Sequence, residues 1–329
     1  MKKLIKHGFA ALLALTLALG MSVSAFAADA GTQVAKKDYR LTNSGTTSPA
    51  ETFQFTVEKV GVTDATKTDG TPLTKDDMPD LTIADVSYAA GEAGSANSVK
   101  DLVVTTPATA FPTVGVYTYK VTETPGNTAG VGYSTVGKEL TLKATVYHDD
   151  DTLELKVAYA FRVDGDKGAD IVNTYSAGSL SVGKRVVGNL GNKKQQFNFT
   201  VTFTAPEGKT VNSTITYGDK TITPENFKTG NGTVQVKISL ADNETMVFNN
   251  VPYGVTYDVT EDTYEGYTAN YGNKTGTINS SITFSHIDNE KKGSVDTGVI
   301  LHSAPYILLL VGVGAAAVAF LILRKHREV

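Results

Sequence analysis

Tyr119-Lys120-Val121-Thr122-Glu123 recurs as Tyr257-Asp258-Val259-Thr260-Glu261, and this repeat decides the fold. Each copy alternates apolar and polar side chains at period two, the pattern of a strand with one buried face. Moving outward, Phe53-Gln54-Phe55-Thr56-Val57 matches Phe197-Asn198-Phe199-Thr200-Val201, and Gly132-Tyr133 after the first glutamate matches Gly266-Tyr267 after the second. The matches keep their order, as expected of a duplicated domain. Thr, Val, Tyr and Phe dominate these runs and helix-period stretches are few. The chain is therefore expected to be all-β, with two tandem immunoglobulin-like β-sandwich domains at 28–176 and 177–293. The linker is expected near Tyr175-Ser176-Ala177-Gly178. His148-Asp149-Asp150-Asp151-Thr152 reads as a hairpin turn; it lacks the Gly and Glu spacing of a calcium loop.

Both ends read as processing segments. Residues 1–27 have a cationic start (Lys2, Lys3, Lys6), an apolar centre and a small-x-small site at Ala25-Phe26-Ala27, the form of a secretory signal. At the other end, 306–323 is an apolar run at the short end of what spans a bilayer. The tail 324–329 with Arg324, Lys325 and Arg327 would stay on the cytoplasmic side. The chain has 30 Lys+Arg and 34 Asp+Glu. With the cationic ends set aside the secreted part is more acidic still, which argues against a nucleic-acid partner. There is no Cys, so neither disulfides nor thiolate metal sites hold the protein together. No metal or other cofactor is expected. A secreted hydrolase is disfavoured: only His148 and His286 lie outside the terminal segments, with no nucleophile or paired carboxylates around them. Asp296-Thr297-Gly298 resembles half an aspartic-protease site, but that chemistry needs two such carboxylates.

Each copy carries the same three polar residues in the same order. A lysine opens it on the first expected strand (Lys36, Lys184), a glutamate ends the repeated segment (Glu123, Glu261), and an asparagine lies at the last strand (Asn173, Asn289). First and last strands of a sandwich commonly lie side by side, so the lysine can meet the asparagine. Burial pushes a lysine towards its neutral amine and a glutamate towards its protonated acid. Such an amine is a nucleophile, and such an acid can polarise the asparagine carboxamide and shuttle protons. The expected product is a Lys–Asn isopeptide bond made once per domain, so Glu123 and Glu261 act in self-modification and the chain is no turnover enzyme. Lys37 replaces Lys36 if the register shifts by one, which turns the side chain to the other sheet face.

Taken together, Val34-Ala35-Lys36, the two Val-Thr-Glu segments, Ile171-Val172-Asn173, Leu180-Ser181-Val182-Gly183-Lys184, Ile282-Thr283-Phe284 with Asn289, and Val295-Asp296-Thr297-Gly298 resemble the two-domain, T-antigen-type backbone pilins of Gram-positive sortase-assembled pili. The resemblance implies cross-links Lys36–Asn173 with Glu123 and Lys184–Asn289 with Glu261. It implies a sorting motif at 294–298, cut by a sortase between Thr297 and Gly298. It also implies that Thr297 is joined to a lysine of the next subunit, for which Lys167, in Gly165-Asp166-Lys167-Gly168, is the expected exposed loop acceptor. Its implied partners are identical subunits, a sortase, minor pilins and peptidoglycan, with the membrane involved only before sorting. Its implied location is the cell wall and cell-surface pilus of a Gram-positive bacterium. The motif lacks a Pro before Thr-Gly, which departs from the usual signal. The alternative is a wall-anchored adhesin or minor pilin built from the same domains.

Overall fold

The computed structural model describes residues 32–133, 140–167 and 170–293. The expected signal 1–27, the motif 294–298 with Thr297 and Gly298, the span 306–323 and the tail 324–329 lie outside the described residues. Among the described residues no helix is long and apolar enough to cross a membrane.

The chain runs as two consecutive sandwiches. The first contains β1 (Thr32–Leu41), β2 (Glu51–Thr63), β3 (Val86–Tyr88), β4 (Val99–Val104), β5 (Gly115–Thr124), β6 (Val131–Tyr133), β7 (Leu140–His148), β8 (Leu155–Val163), β9 (Asp166–Lys167) and β10 (Ile171–Tyr175). Its sheets have the orders β4-β1-β10-β6 and β3-β2-β5-β7-β8-β9. The second contains β11 (Ala177–Val187), β12 (Phe197–Thr204), β13 (Ile215–Tyr217), β14 (Lys220–Ile222), β15 (Thr233–Leu240), β16 (Thr245–Pro252), β17 (Thr256–Glu261), β18 (Thr268–Gly272), β19 (Thr275–Thr277) and β20 (Ile282–Glu290). Its sheets have the orders β14-β13-β16-β11-β20-β18 and β15-β12-β17-β19. The one α-helix among the described residues is a short turn at Pro224–Thr229.

Alternation places the cores. In β5 the residues Tyr117, Tyr119, Val121 and Glu123 are buried while Lys120, Thr122 and Thr124 are exposed. In β11, Leu180, Val182, Lys184 and Val186 face inward. The first core centres on Tyr39, Phe53, Tyr117, Tyr119 and Tyr175, the second on Phe197, Phe199, Phe203 and Phe248. Edge-to-face ring pairs lock both, for example Tyr39 on Phe53 at 5.3 Å and Phe203 on Phe248 at 5.1 Å.

In each sandwich the first strand lies parallel to the last: β1 pairs with β10, and β11 with β20. The expected hairpin turn at 148–152 joins β7 to β8, and Asp149 Oδ1 accepts from the backbone N–H groups of Asp151 and Thr152. Ser176 alone separates β10 from β11. With so short a connection, the last strand of one domain leads directly into the first strand of the next.

Candidate functional site: a buried Lys–Glu–Asn set in each domain

The parallel pairing of first and last strands brings the lysine and asparagine together with the same offset twice. Lys37 is opposite Ile171, so Asn173 lies two residues further along β10; Lys184 is opposite Ile287, so Asn289 lies two residues further along β20. A two-residue step keeps both side chains on the inner face. The glutamate comes from the facing sheet. Glu123 is paired with Phe55 across β5 and β2, and Glu261 with Phe199 across β17 and β12.

In the first domain Lys37 Nζ donates to Glu123 Oε1 at 3.0 Å, and Asn173 Nδ2 donates to the same oxygen at 2.5 Å. In the second, Lys184 Nζ donates to Glu261 Oε2 at 3.2 Å and Asn289 Nδ2 to Oε1 at 2.5 Å. The lysine and glutamate side chains in both ion pairs are at most 1% exposed. Each ammonium stands over an aromatic ring at the corresponding position, Phe53 at 4.3 Å and Phe197 at 4.4 Å. The carboxamide oxygens of Asn173 and Asn289 are buried without a hydrogen-bond partner. Half a turn of either carboxamide exchanges its oxygen and nitrogen, so a protonated glutamate can donate to the oxygen instead.

Burial weakens the charged forms of both lysines and of Glu261. Burial lowers the Lys37 ammonium to about 8, against the opposing pull of Glu123. Burial lowers Lys184 as well, against the attraction of Glu261, and burial pushes Glu261 up. A proton passed from lysine to glutamate leaves a neutral amine, a neutral acid and a carboxamide packed together. That is the arrangement needed for acyl transfer to the amine.

The expectation for Lys36 is corrected. Lys36 points outward and forms an exposed ion pair with Asp101 at 2.5 Å, while Lys37 is fully buried at the site. The cause is a register shift in β1 against β4 between Gln33 and Ala35, which resets the alternation begun by Val34. A sequence signal for this exists: Lys37-Asp38-Tyr39-Arg40-Leu41 places apolar residues two and four after the lysine, as Lys184 has Val186. Lys36 is followed at those spacings by Asp38 and Arg40.

Lys167 also differs from its expected setting in a loop. Asp164 and Gly165 have φ of 49° and 89°, the geometry of a two-residue hairpin turn, and they fold Asp166 and Lys167 back on β8 opposite Val163 and Arg162. The backbone of Lys167 therefore lies in a short outermost strand, β9. Among the described residues there is no cluster of His, Asp or Glu able to hold a metal ion.

Residues 33–176 match the family model described as the Spy0128-like isopeptide containing domain, and residues 178–291 match a model of a domain of unknown function. A pilin of Streptococcus pyogenes serotype M1 is 30% identical over 318 residues, covering 85% of this chain and 87% of that protein. The major pilin of Streptococcus pyogenes, solved as an asparagine-to-alanine mutant, is 25% identical with a TM-score of 0.52, over 81% of this chain and 100% of that one. The T-13 major pilin of the same species shares the fold at 21% identity and a TM-score of 0.51, again over 81% of this chain and 100% of that one. Two sandwiches in the same order, the isopeptide-domain match and 30% identity across most of both chains lead to one conclusion: this chain belongs to the major pilin family of Gram-positive bacteria, whose members are structural subunits of surface pili.

Proposed function

We propose that this subunit cross-links itself twice, Lys37 to Asn173 with Glu123 and Lys184 to Asn289 with Glu261, and is then joined to its neighbours through Thr297 and Lys167. The observation that carries the first part is the two-fold recurrence of a buried lysine and asparagine on adjacent parallel strands beneath a glutamate from the facing sheet.

The chemistry balances without a cofactor. Lysine gives its proton to the glutamate, and the freed Nζ lone pair attacks the asparagine Cγ. The protonated carboxyl donates to the carboxamide oxygen and holds the charge that develops there. It then passes a proton to Nδ2, and the resulting carboxylate takes the second proton from Nζ; the Cγ–Nδ2 bond breaks, ammonia leaves, and the amide Nζ–Cγ remains beside a protonated glutamate. Lys37→Arg is expected to abolish the loss of ammonia from the first domain, whereas Lys36→Ala leaves it complete. Peptide mass mapping separates the two.

The pH dependence follows from proton counting. The ion pair and the reactive neutral pair hold the same number of protons, so the rate should be flat around neutrality. Above a pH of about 8 the first-domain lysine loses its proton. The reacting set then has lost the proton it needs to donate to the carboxamide, and the rate falls. Unreacted chain recovered from inclusion bodies and refolded at stepped pH gives the profile; a rate that keeps climbing through pH 9 contradicts the role of the glutamate as acid.

The two bonds serve tension differently. A chain pulled between Lys167 and Thr297 passes through β10, Ser176 and β11. It then crosses from Lys184 to Asn289 and leaves by the end of β20. The second bond thus takes the load directly and protects the parallel β11–β20 ladder from shear. The first bond ties β10, the next strand along the chain after Lys167, to β1. Assembly by a sortase is tested by the loss of high-mass oligomers when Thr297 or Lys167 is replaced.

A further inference from the structure

We propose that docking of the second domain positions Glu123, so that the first cross-link closes only once the two domains are packed together; this rests on the reading of Lys37, Glu123 and Asn173 as the reacting set. Glu123 is the next-to-last residue of β5, and the loop that follows it is held by the other domain. The side chain of Ala129 is 2% exposed and belongs to the second core, among Phe and Val side chains of that domain. The N–H of Ala129 donates to the Thr210 carbonyl at 2.8 Å, the N–H of Thr210 donates to the Asn127 carbonyl at 2.8 Å, and Thr128 and Thr210 form a parallel bridge. Asn212 Nδ2 donates to Thr128 Oγ1 at 2.9 Å, and Lys209 Nζ to the Gly126 carbonyl at 3.3 Å.

The same joint grips the strand of Asn173. Gly130 has φ of 79°, and a Cβ there would lie 2.5 Å from the Ser176 carbonyl and 3.0 Å from the Tyr175 ring. The Ser176 N–H donates to the Gly130 carbonyl at 2.8 Å, and Tyr253 N–H donates to the Ser176 carbonyl at 3.0 Å. Glu123 is thus one residue, and Asn173 two residues, from the end of β5 and β10, and both strands lead into the domain contact.

The second site has no such dependence. Glu261 is followed by Asp262, whose N–H donates to Asn198 of its own domain at 3.0 Å. Tyr264 and Tyr267 then pack edge-on to Phe197 at 4.8 and 5.2 Å. Residues after Glu261 are therefore anchored within the domain that reacts.

A misplacement of about 1 Å slows a positioned reaction on the order of a hundredfold. Unreacted full chain is refolded and each domain is followed by peptide mass. Ala129→Asp, which puts a charge in the second core, is expected to slow the first bond about a hundredfold and the second bond by a smaller factor. Ala129→Ser should restore the first bond. The pair Lys209→Ala and Asn212→Ala, which leaves the first domain untouched, should slow the first bond by a smaller factor with the circular dichroism of the fold unchanged. Wild-type rates for the first bond in both the Asp variant and the double variant overturn the proposal. A wild-type chain that never loses the first ammonia instead removes the reacting set itself, and the positioning role with it.

Discussion

Glu261→Gln leaves the second domain heavier by one ammonia, within the small mass change of the substitution, and lowers its unfolding temperature by about 20 °C. The substitution keeps the shape and a hydrogen-bonding head beside Lys184 and Asn289 but removes the group proposed to take and return the proton. The proposed bond from Lys184 to Asn289 would close a loop on the order of a hundred residues, and loss of such a closure costs about 5 kcal/mol. For a domain of about 100 residues each kcal/mol moves the midpoint by about 4 °C. Differential scanning calorimetry on the folded chain reads the shift, and the first domain should keep its own cross-link. An unchanged midpoint together with an unchanged ammonia loss would remove Glu261 from the chemistry.

Lys167→Ala is expected to abolish the ladder of detergent-stable oligomers in wall extracts while each monomer still loses both ammonias. The proposed acceptor and the proposed internal cross-links are separate in place: Lys167 lies in β9 at the outer edge of the broad sheet, whereas Lys37 and Lys184 are buried in the cores. An intact ladder in this variant would show that the sortase uses another lysine. A lost ladder accompanied by a missing internal bond would instead point to damage in the first domain.

The fold was largely legible because the alternation at Tyr119–Glu123 and its repeat at Tyr257–Glu261 fix which face is buried and that the unit occurs twice. The meeting of Glu123 with Asn173, and of Lys184 and Asn289 with Glu261, was legible for a related reason. A charged or amide side chain on the inner face of a strand needs a partner, and the duplication supplied the same partners twice. Lys36 is the wrong one of two neighbouring lysines because a one-residue irregularity between Gln33 and Ala35 decides which of them faces inward. Such bulges are set by pairing with a distant strand, here β4, and leave little mark on local composition. The β9 hairpin hid behind Asp164-Gly165, whose turn chemistry was visible but whose partner strand was not. The grip of the second domain on residues 126–130 was invisible for the same reason: it depends on contacts with Lys209, Thr210 and Asn212, far away in sequence.

The most direct measurement is the intact mass of the folded secreted fragment 28–297. The cross-linked account predicts a mass lower than the sequence sum by two ammonias, falling to one in Glu123→Ala after allowance for the substitution. A mass equal to the sequence sum in the folded wild-type fragment would contradict it.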